Sequence, residues 1–343
     1  MTTPDISREK IYIPKIVVHL GLHKTGTTTI QRGLKKILPQ LNAEGVGVLL
    51  HDDTTHLSSE LGWSARRKAK KAMAGAFEND LRRLAYNQLG SVMAHTGQNM
   101  KQLLISNERI TGARMPIKLD HPVFRPRTEK ALAQILKPFK TDELELVVYL
   151  RRQDTYFESC YLWEIGKGHN HDITSQFPFM KEKPTFAYTA FLKRMKNFPG
   201  VSKLTVKPFE IVGAGGLSYL DDFLDCIGMK GHFDLKEQDV PTEVNTSISK
   251  RALEIAMKVN PMLDTQKQKK KMKLYLKANF PANEYGKAVV LSDEERLQIL
   301  DLYRLDNERL FSEYMPHFPK DSYSSIEKTA ELKSFLTTLA KKV

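Results

Sequence analysis

Between Lys15 and Gln31 the chain runs Lys-Ile-Val-Val-His-Leu-Gly-Leu-His-Lys-Thr-Gly-Thr-Thr-Thr-Ile-Gln. The apolar, β-branched run from Ile16 to Leu20 reads as a buried strand. The chain then passes through Gly21 to Gly26 into a helix from Thr27 to about Leu38, with Ile30, Leu34, Ile37 and Leu38 on one face. A strand that feeds a glycine-bounded loop and then a helix N-terminus makes an anion site. Unpaired backbone N–H groups and the positive end of the helix dipole both face the loop.

The loop departs from a Walker A sequence in an informative way. Gly21-Leu-His-Lys-Thr-Gly26 supplies the G-x-x-x-x-G frame, but Thr27-Thr28 stands where Lys-Ser/Thr should follow. The lysine has moved inside the loop, to Lys24. A site that hydrolyses a nucleoside triphosphate wants its lysine on the β- and γ-phosphates and a hydroxyl on magnesium. A lysine earlier in the loop suits a shorter anion with one bridging oxygen to neutralise.

Further apolar runs follow at intervals. Val46–Leu50, Gln102–Ser106, Leu144–Leu150 and Lys203–Pro208 read as four more strands. Between them lie helical stretches: Ser64 to about Met93, Thr128–Leu136, the segment after Arg151, and Tyr219–Ile227 with Gly228 closing it. Residues 109–127 hold three prolines and no period, which predicts an irregular excursion. Alternating strands and helices predict an α/β fold: a central parallel sheet of about five strands flanked by helices, with additional C-terminal helices. One domain spanning 1–343 is expected, with an α/β nucleotide-binding core at 12–240 and a mainly helical portion at 241–343. In that portion Ser292–Tyr314 reads as one long amphipathic helix, and Ser325–Lys342 as a final one. Ligands of such sheets sit beyond the carboxyl ends of the strands. The Gly21 loop, Ser106-Asn-Glu108 and Arg151-Arg152 all fall there.

The net charge of +13 turns attention to anionic partners. No helix-turn-helix, zinc-finger or RNA-binding signature accompanies it, so nucleic acid is not expected. The basic runs Arg66–Lys71 and Gln266–Lys273 fit an acidic acceptor or peripheral contact with a membrane surface, and a solvated helix face explains them equally well. No apolar run is long enough to span a membrane, and the polar residues 1–15 lack the apolar core of a signal peptide. Cys160 and Cys226 have no metal-ligand spacing and are expected to be reduced thiols in a cytoplasmic protein.

His-Lys-Thr-Gly-Thr-Thr after a strand resembles the 5′-phosphosulfate loop of sulfotransferases that use 3′-phosphoadenosine-5′-phosphosulfate (PAPS). A second element of that family is a strand followed by an arginine and then a serine, which hold the 3′-phosphate. Arg151, with Ser159 about two helical turns on, matches it, and Arg152 is the alternative arginine. A guanidinium gives directed, charge-assisted bonds to phosphate, and a hydroxyl adds a donor. Asn107-Glu108, Val206–Glu210, Phe223–Gly228, Val244–Ser249 and Leu302–Leu310 are similar to bacterial members. The similarity thins at 51–100, 109–127 and 160–185, where choice of acceptor would be carried.

The resemblance implies a P-loop-like sulfotransferase fold and a PAPS-dependent transfer of a sulfuryl group, with no metal required. His23, Lys24, Thr25, Gly26, Thr27, Thr28, Arg151 and Ser159 are the expected nucleotide contacts. Backbone N–H groups of Thr25 to Thr28 and the hydroxyls of Thr27 and Thr28 would take the 5′-phosphate, and Lys24 the scissile bridge. Glu108 is the first choice of general base, with His56 and His51 in reserve. The implied acceptor is a glycan, a glycolipid or a small metabolite, and homo-oligomerisation is left open by the amphipathic C-terminal segments. Two other classes compete: a P-loop nucleotide or small-molecule kinase, and a noncatalytic nucleotide- or polyanion-binding protein.

Overall fold

The computed structural model describes residues 9–50, 70–108, 110–111, 128–173, 175, 180, 186–240 and 247–341. The chain divides into a sheet unit (Met1–Ala113, Phe124–Leu150, Ala190–Thr242) and a helical unit (Arg114–Val123, Arg151–Thr189, Glu243–Val343). Among the described residues no helix is long and apolar enough to cross a membrane.

The sheet unit is built on five parallel strands: β1 (Lys15–His19), β2 (Val46–Leu50), β3 (Gln102–Ser106), β4 (Glu143–Leu150) and β5 (Val201–Pro208). They lie in the order β2-β3-β1-β4-β5. The α/β architecture expected from the sequence is therefore present. Every residue of β2 and β3 is buried, as is all of β4 beyond Glu143. A parallel sheet covered on both faces needs unbroken apolar strands, and that is how these runs read. β2 is an edge strand. It is guarded by α3 (Lys70–Thr96), whose Gln88 side chain accepts the Val48 N–H at 3.0 Å.

The first connection differs from a single helix to Leu38. α1 (Thr27–Lys36) stops at Ile37 and α2 (Leu38–Ala43) begins afresh. Pro39 explains the break, because its ring would collide with a carbonyl one turn back and it has no N–H to donate. α4 (Thr128–Leu136) precedes β4. α6 (Tyr188–Lys196) precedes β5, and α7 (Gly216–Cys226) follows it and lies along α1. At that crossing a Cβ on Gly33 would stand 2.7 Å from Leu220 Cδ2, so Leu220 packs directly on the glycine and would have to shift for any larger residue. Past α7, Gly228 takes the left-handed conformation (φ 77°) that ends the helix.

The helical unit begins with α5 (Gln153–Ile165). It continues through α8 (Lys250–Val259), α9 (Gln266–Asn279), α10 (Asp293–Leu302), α11 (Arg304–Arg309) and α12 (Ile326–Lys341). Hydroxyl caps mark the starts of α8, α9 and α10, and at α8 Ser249 accepts the Ala252 N–H at 3.0 Å. Thr265 and Ser292 each close a capping box, with Gln268 and Glu295 respectively. The stretch 292–314 is not one helix. It turns at Tyr303 (φ −105°, ψ 10°) and ends in a π-type turn over Leu310–Tyr314. The turn lets the Tyr303 ring, 1% exposed, pack edge-on against Phe186.

Candidate functional site

β1 is central in its sheet, with β3 on one side and β4 on the other. The connections leave toward opposite edges there, which is where α/β sheets open a crevice for ligands. The loop that leaves β1 is closed mainly on one carbonyl. Leu22 accepts the Thr25 hydroxyl at 2.8 Å, the Thr27 hydroxyl at 3.3 Å and, at 3.4 Å, the Thr25 N–H. Tyr219 of α7 donates its hydroxyl to the Thr25 carbonyl at 2.7 Å and fixes the far side. Leu22, Thr25 and Thr27 are buried, whereas His23, Lys24, Gly26 and Thr28 are half-exposed.

This closure forces the backbone into the left-handed region at both Lys24 (φ 68°) and Gly26 (φ 67°). Alternating hand turns successive N–H groups toward one concavity, the geometry of an anion nest. Gly26 is the N-cap of α1, and among the described residues no acceptor meets its N–H or that of Thr27. Both are thus available to an anion at the positive end of α1. A side chain at residue 26 is excluded, since its Cβ would stand 2.7 Å from the Tyr219 ring and 3.0 Å from Phe209.

The structure sorts the loop threonines by direction. A threonine hydroxyl has one proton, and those of Thr25 and Thr27 point inward to Leu22. What Thr27 presents outward is its N–H. Thr27 also fills the place of a Walker lysine, and it is 6% exposed against the Gly21 backbone.

Glu108 is brought to the same loop. The Thr111 hydroxyl bridges the carbonyls of Gly21 and Glu108 at 3.0 Å each, and a Cβ on Gly21 would stand 3.1 Å from the Glu108 Cα. Gln31, one turn into α1, donates to Glu108 Oε2 at 3.2 Å and to the Ser106 carbonyl at 3.1 Å. Gln31 therefore orients the carboxylate proposed as base. It lies inside the 15–31 stretch, but its role depends on β3 standing beside β1, which no local pattern reveals. Ser106 in turn meets His19 Nδ1 at 2.9 Å. His19 is fully buried between the rings of Phe223 and Tyr149, and burial drives its pKa down to about 3. It is a neutral core group and no base.

Arg151 and Ser159 belong to the helical unit. Arg151 follows Leu150 of β4 directly in the chain, its Nε donates to the Thr155 hydroxyl at 3.1 Å, and its carbonyl accepts the Tyr188 hydroxyl. Thr155 and Ser159 are one turn apart on α5, both partly exposed, so Arg151, Thr155 and Ser159 form one polar stripe. Arg152 is different. It is 4% exposed and clamps Asp154 through Nε at 2.6 Å and a second guanidinium nitrogen at 2.8 Å. It also donates to the Ser325 carbonyl at 3.2 Å. Of the adjacent arginines, Arg152 is committed to the fold and Arg151 is the one placed with hydroxyls.

His51, His56 and the side chains of Arg66–Lys71 lie outside the described residues. Neither cysteine forms a disulfide. Burial, reinforced by Asp222, pushes the Cys226 thiol up to about 12, which removes it as a nucleophile. Among the described residues no His, Cys, Asp and Glu cluster is arranged to hold a metal ion. No protein-family model matches this sequence, and no curated protein is significantly similar to it.

Proposed function

We propose that this chain is a sulfotransferase that moves a sulfuryl group from PAPS to a hydroxyl or amine of an acceptor. The observation that carries the reading is the loop itself. It is a nest at the N-terminus of α1 whose lysine, Lys24, stands within the loop, while the Walker lysine position is held by the buried Thr27. Such a loop offers N–H groups to one phosphate and a single cation to one bridge, and it lacks the cation that a β,γ-phosphate pair requires.

PAPS supplies an activated sulfuryl group on a phosphate leaving group. In the proposed reaction the acceptor oxygen or nitrogen forms its bond to sulfur as the bond from sulfur to the bridging oxygen breaks. Glu108, oriented by Gln31, takes the acceptor proton. Lys24 bonds the bridging oxygen as negative charge gathers there. The N–H groups of Gly26 and Thr27, with the Thr28 hydroxyl, hold the 5′-phosphate. His23 shapes the loop, and Arg151 with Ser159 holds the 3′-phosphate. Charge stabilisation and positioning account for the rate. The acceptor class is a glycan, a glycolipid or a small metabolite, and thiols that form no disulfide suit a cytoplasmic setting.

The test is calorimetric titration with 3′-phosphoadenosine-5′-phosphate and with ATP–magnesium, followed by transfer assays with labelled PAPS over a panel of acceptors. The bisphosphate is expected to bind more tightly. Lys24→Ala is expected to keep that binding and to lose about 100-fold or more in transfer, as removal of one transition-state donor does elsewhere. Tighter binding of ATP–magnesium, or near-normal transfer by a folded Lys24→Ala protein, overturns the proposal.

A further inference from the structure

The C-terminal half carries a surface that the proposed chemistry does not use. α9 contains six lysines and no acidic residue or arginine. Among the described residues none of those lysines forms an ion pair, although exposed lysines elsewhere in the molecule do. The helix is firmly built, because the Thr265–Gln268 capping box fixes its start and Leu276 anchors its inner face. Lys269 is also spent on structure, lying across Gly168, where a Cβ would stand 2.6 Å from its Cγ.

The outward face is organised differently. Lys267, Lys270, Lys271, Leu274 and Lys277 share one arc of the helix, and all are exposed. Leu274 stands amid these lysines and is 59% exposed. Its neighbour Tyr275, 53% exposed, starts a chain of rings through Phe280 to Tyr285, itself partly open to solvent, with centroids 6.1 and 5.4 Å apart. A solvated helix would gain nothing by placing a leucine at the centre of its charged arc.

We infer that the outward face of α9 docks the protein on an anionic phospholipid surface. Lysines on long apolar stems reach headgroup phosphates and carboxylates while their stems lie along the acyl boundary. A protruding leucine enters that boundary, and tyrosine suits it because its ring is apolar and its hydroxyl wet. A dissolved polyanion would meet the lysines but offers no apolar phase for Leu274. The absence of arginine is in keeping, since diffuse headgroup charge needs point charges and not the paired donors that single out one phosphate.

The test is co-sedimentation of the full-length protein with phosphatidylcholine vesicles, with and without phosphatidylserine, at low and high salt. Wild type is expected to pellet only with phosphatidylserine, and less at high salt. The Lys267→Glu/Lys270→Glu/Lys271→Glu triple variant is expected to lose affinity by at least about fivefold for each charge removed. Leu274→Ser keeps every charge and is expected to lose about tenfold through apolar contact alone. These side chains are exposed, so circular dichroism and bisphosphate binding should match wild type. Wild type that ignores both vesicles, a triple variant that still pellets, or a Leu274→Ser protein that binds like wild type would each overturn the inference. The last result would mean that charge alone holds the face and that Leu274 enters no apolar phase, which removes the ground for preferring a membrane to a dissolved polyanion.

Discussion

Lys24 is the one non-glycine residue, among those described, that adopts a positive φ. A left-handed backbone costs an L-residue roughly 1–2 kcal/mol, so something must hold it there. The restraints are visible: two threonine hydroxyls on the Leu22 carbonyl, and a tyrosine from 194 residues along the chain on the Thr25 carbonyl. Glycine pays no such cost. Lys24→Gly and Lys24→Ala both delete the side chain, so their difference isolates the backbone. Lys24→Gly is expected to be the more stable by about 1 kcal/mol in urea denaturation, with transfer reduced to the same extent in both variants. Equal stabilities would mean that the loop relaxes out of the left-handed conformation once the lysine is gone. The glycine frame and the displaced lysine are plain in the sequence. The inward turn of Thr27 is not, because Thr27 and Thr28 are chemically identical and only the buried Leu22 carbonyl distinguishes them.

At the scale of elements, α5 shows how a buried network decides between equivalent residues. Asp154 is fully buried at its first turn and takes Arg152 on one side and, at 3.2 Å, Arg296 of α10 on the other. Arg296 also holds Glu158 with two bonds of 2.8 Å. Burial alone would lower the Arg296 pKa, but Glu158 and then Asp154 raise it. Asp154→Asn takes from two buried guanidinium groups the carboxylate that they share. It is expected to cost about 3–5 kcal/mol, read as a fall in the denaturation midpoint. A loss within about 1 kcal/mol, on the same principle, would mean that the remaining acceptors satisfy both cations. Spacing to Ser159 favours Arg151 over Arg152 in the sequence, but only this network shows why Arg152 is committed to the fold. The strands, in contrast, are legible almost to the residue at Val46–Leu50 and Gln102–Ser106, since burial on both faces leaves an unbroken apolar signature. The turn at Tyr303 is illegible for the opposite reason. No glycine or proline marks it, and its cause is a tyrosine packed against Phe186, more than 100 positions earlier.

The molecule as a whole inherits a pH dependence from the middle of its sheet. His19 lies on β1 with Nδ1 on Ser106 and, among the described residues, no partner for Nε2. Unfolded, its imidazole takes up a proton near pH 6.5, whereas folded it does so only at about 3. Between those values the unfolded chain binds more protons, so stability rises with pH. This contribution is complete above about pH 6.5 and falls by about 1.4 kcal/mol for each pH unit below it, until the folded group also titrates. Carboxylates add their own acid sensitivity, but they are the same in a neutral replacement. His19→Asn, although less stable near neutrality, should therefore show a shallower loss between about pH 6 and pH 4, the difference in slope being that same figure. Urea titrations of both proteins across the range measure it. Parallel curves would require His19 to be charged, or reached by water, in the folded state. Because His19 is joined through Ser106 to Gln31, and Gln31 to Glu108, acid that opens the sheet at β1 also releases the proposed base. Loss of transfer at low pH should then track unfolding in wild type and shift to lower pH in His19→Asn wherever the variant's fold persists.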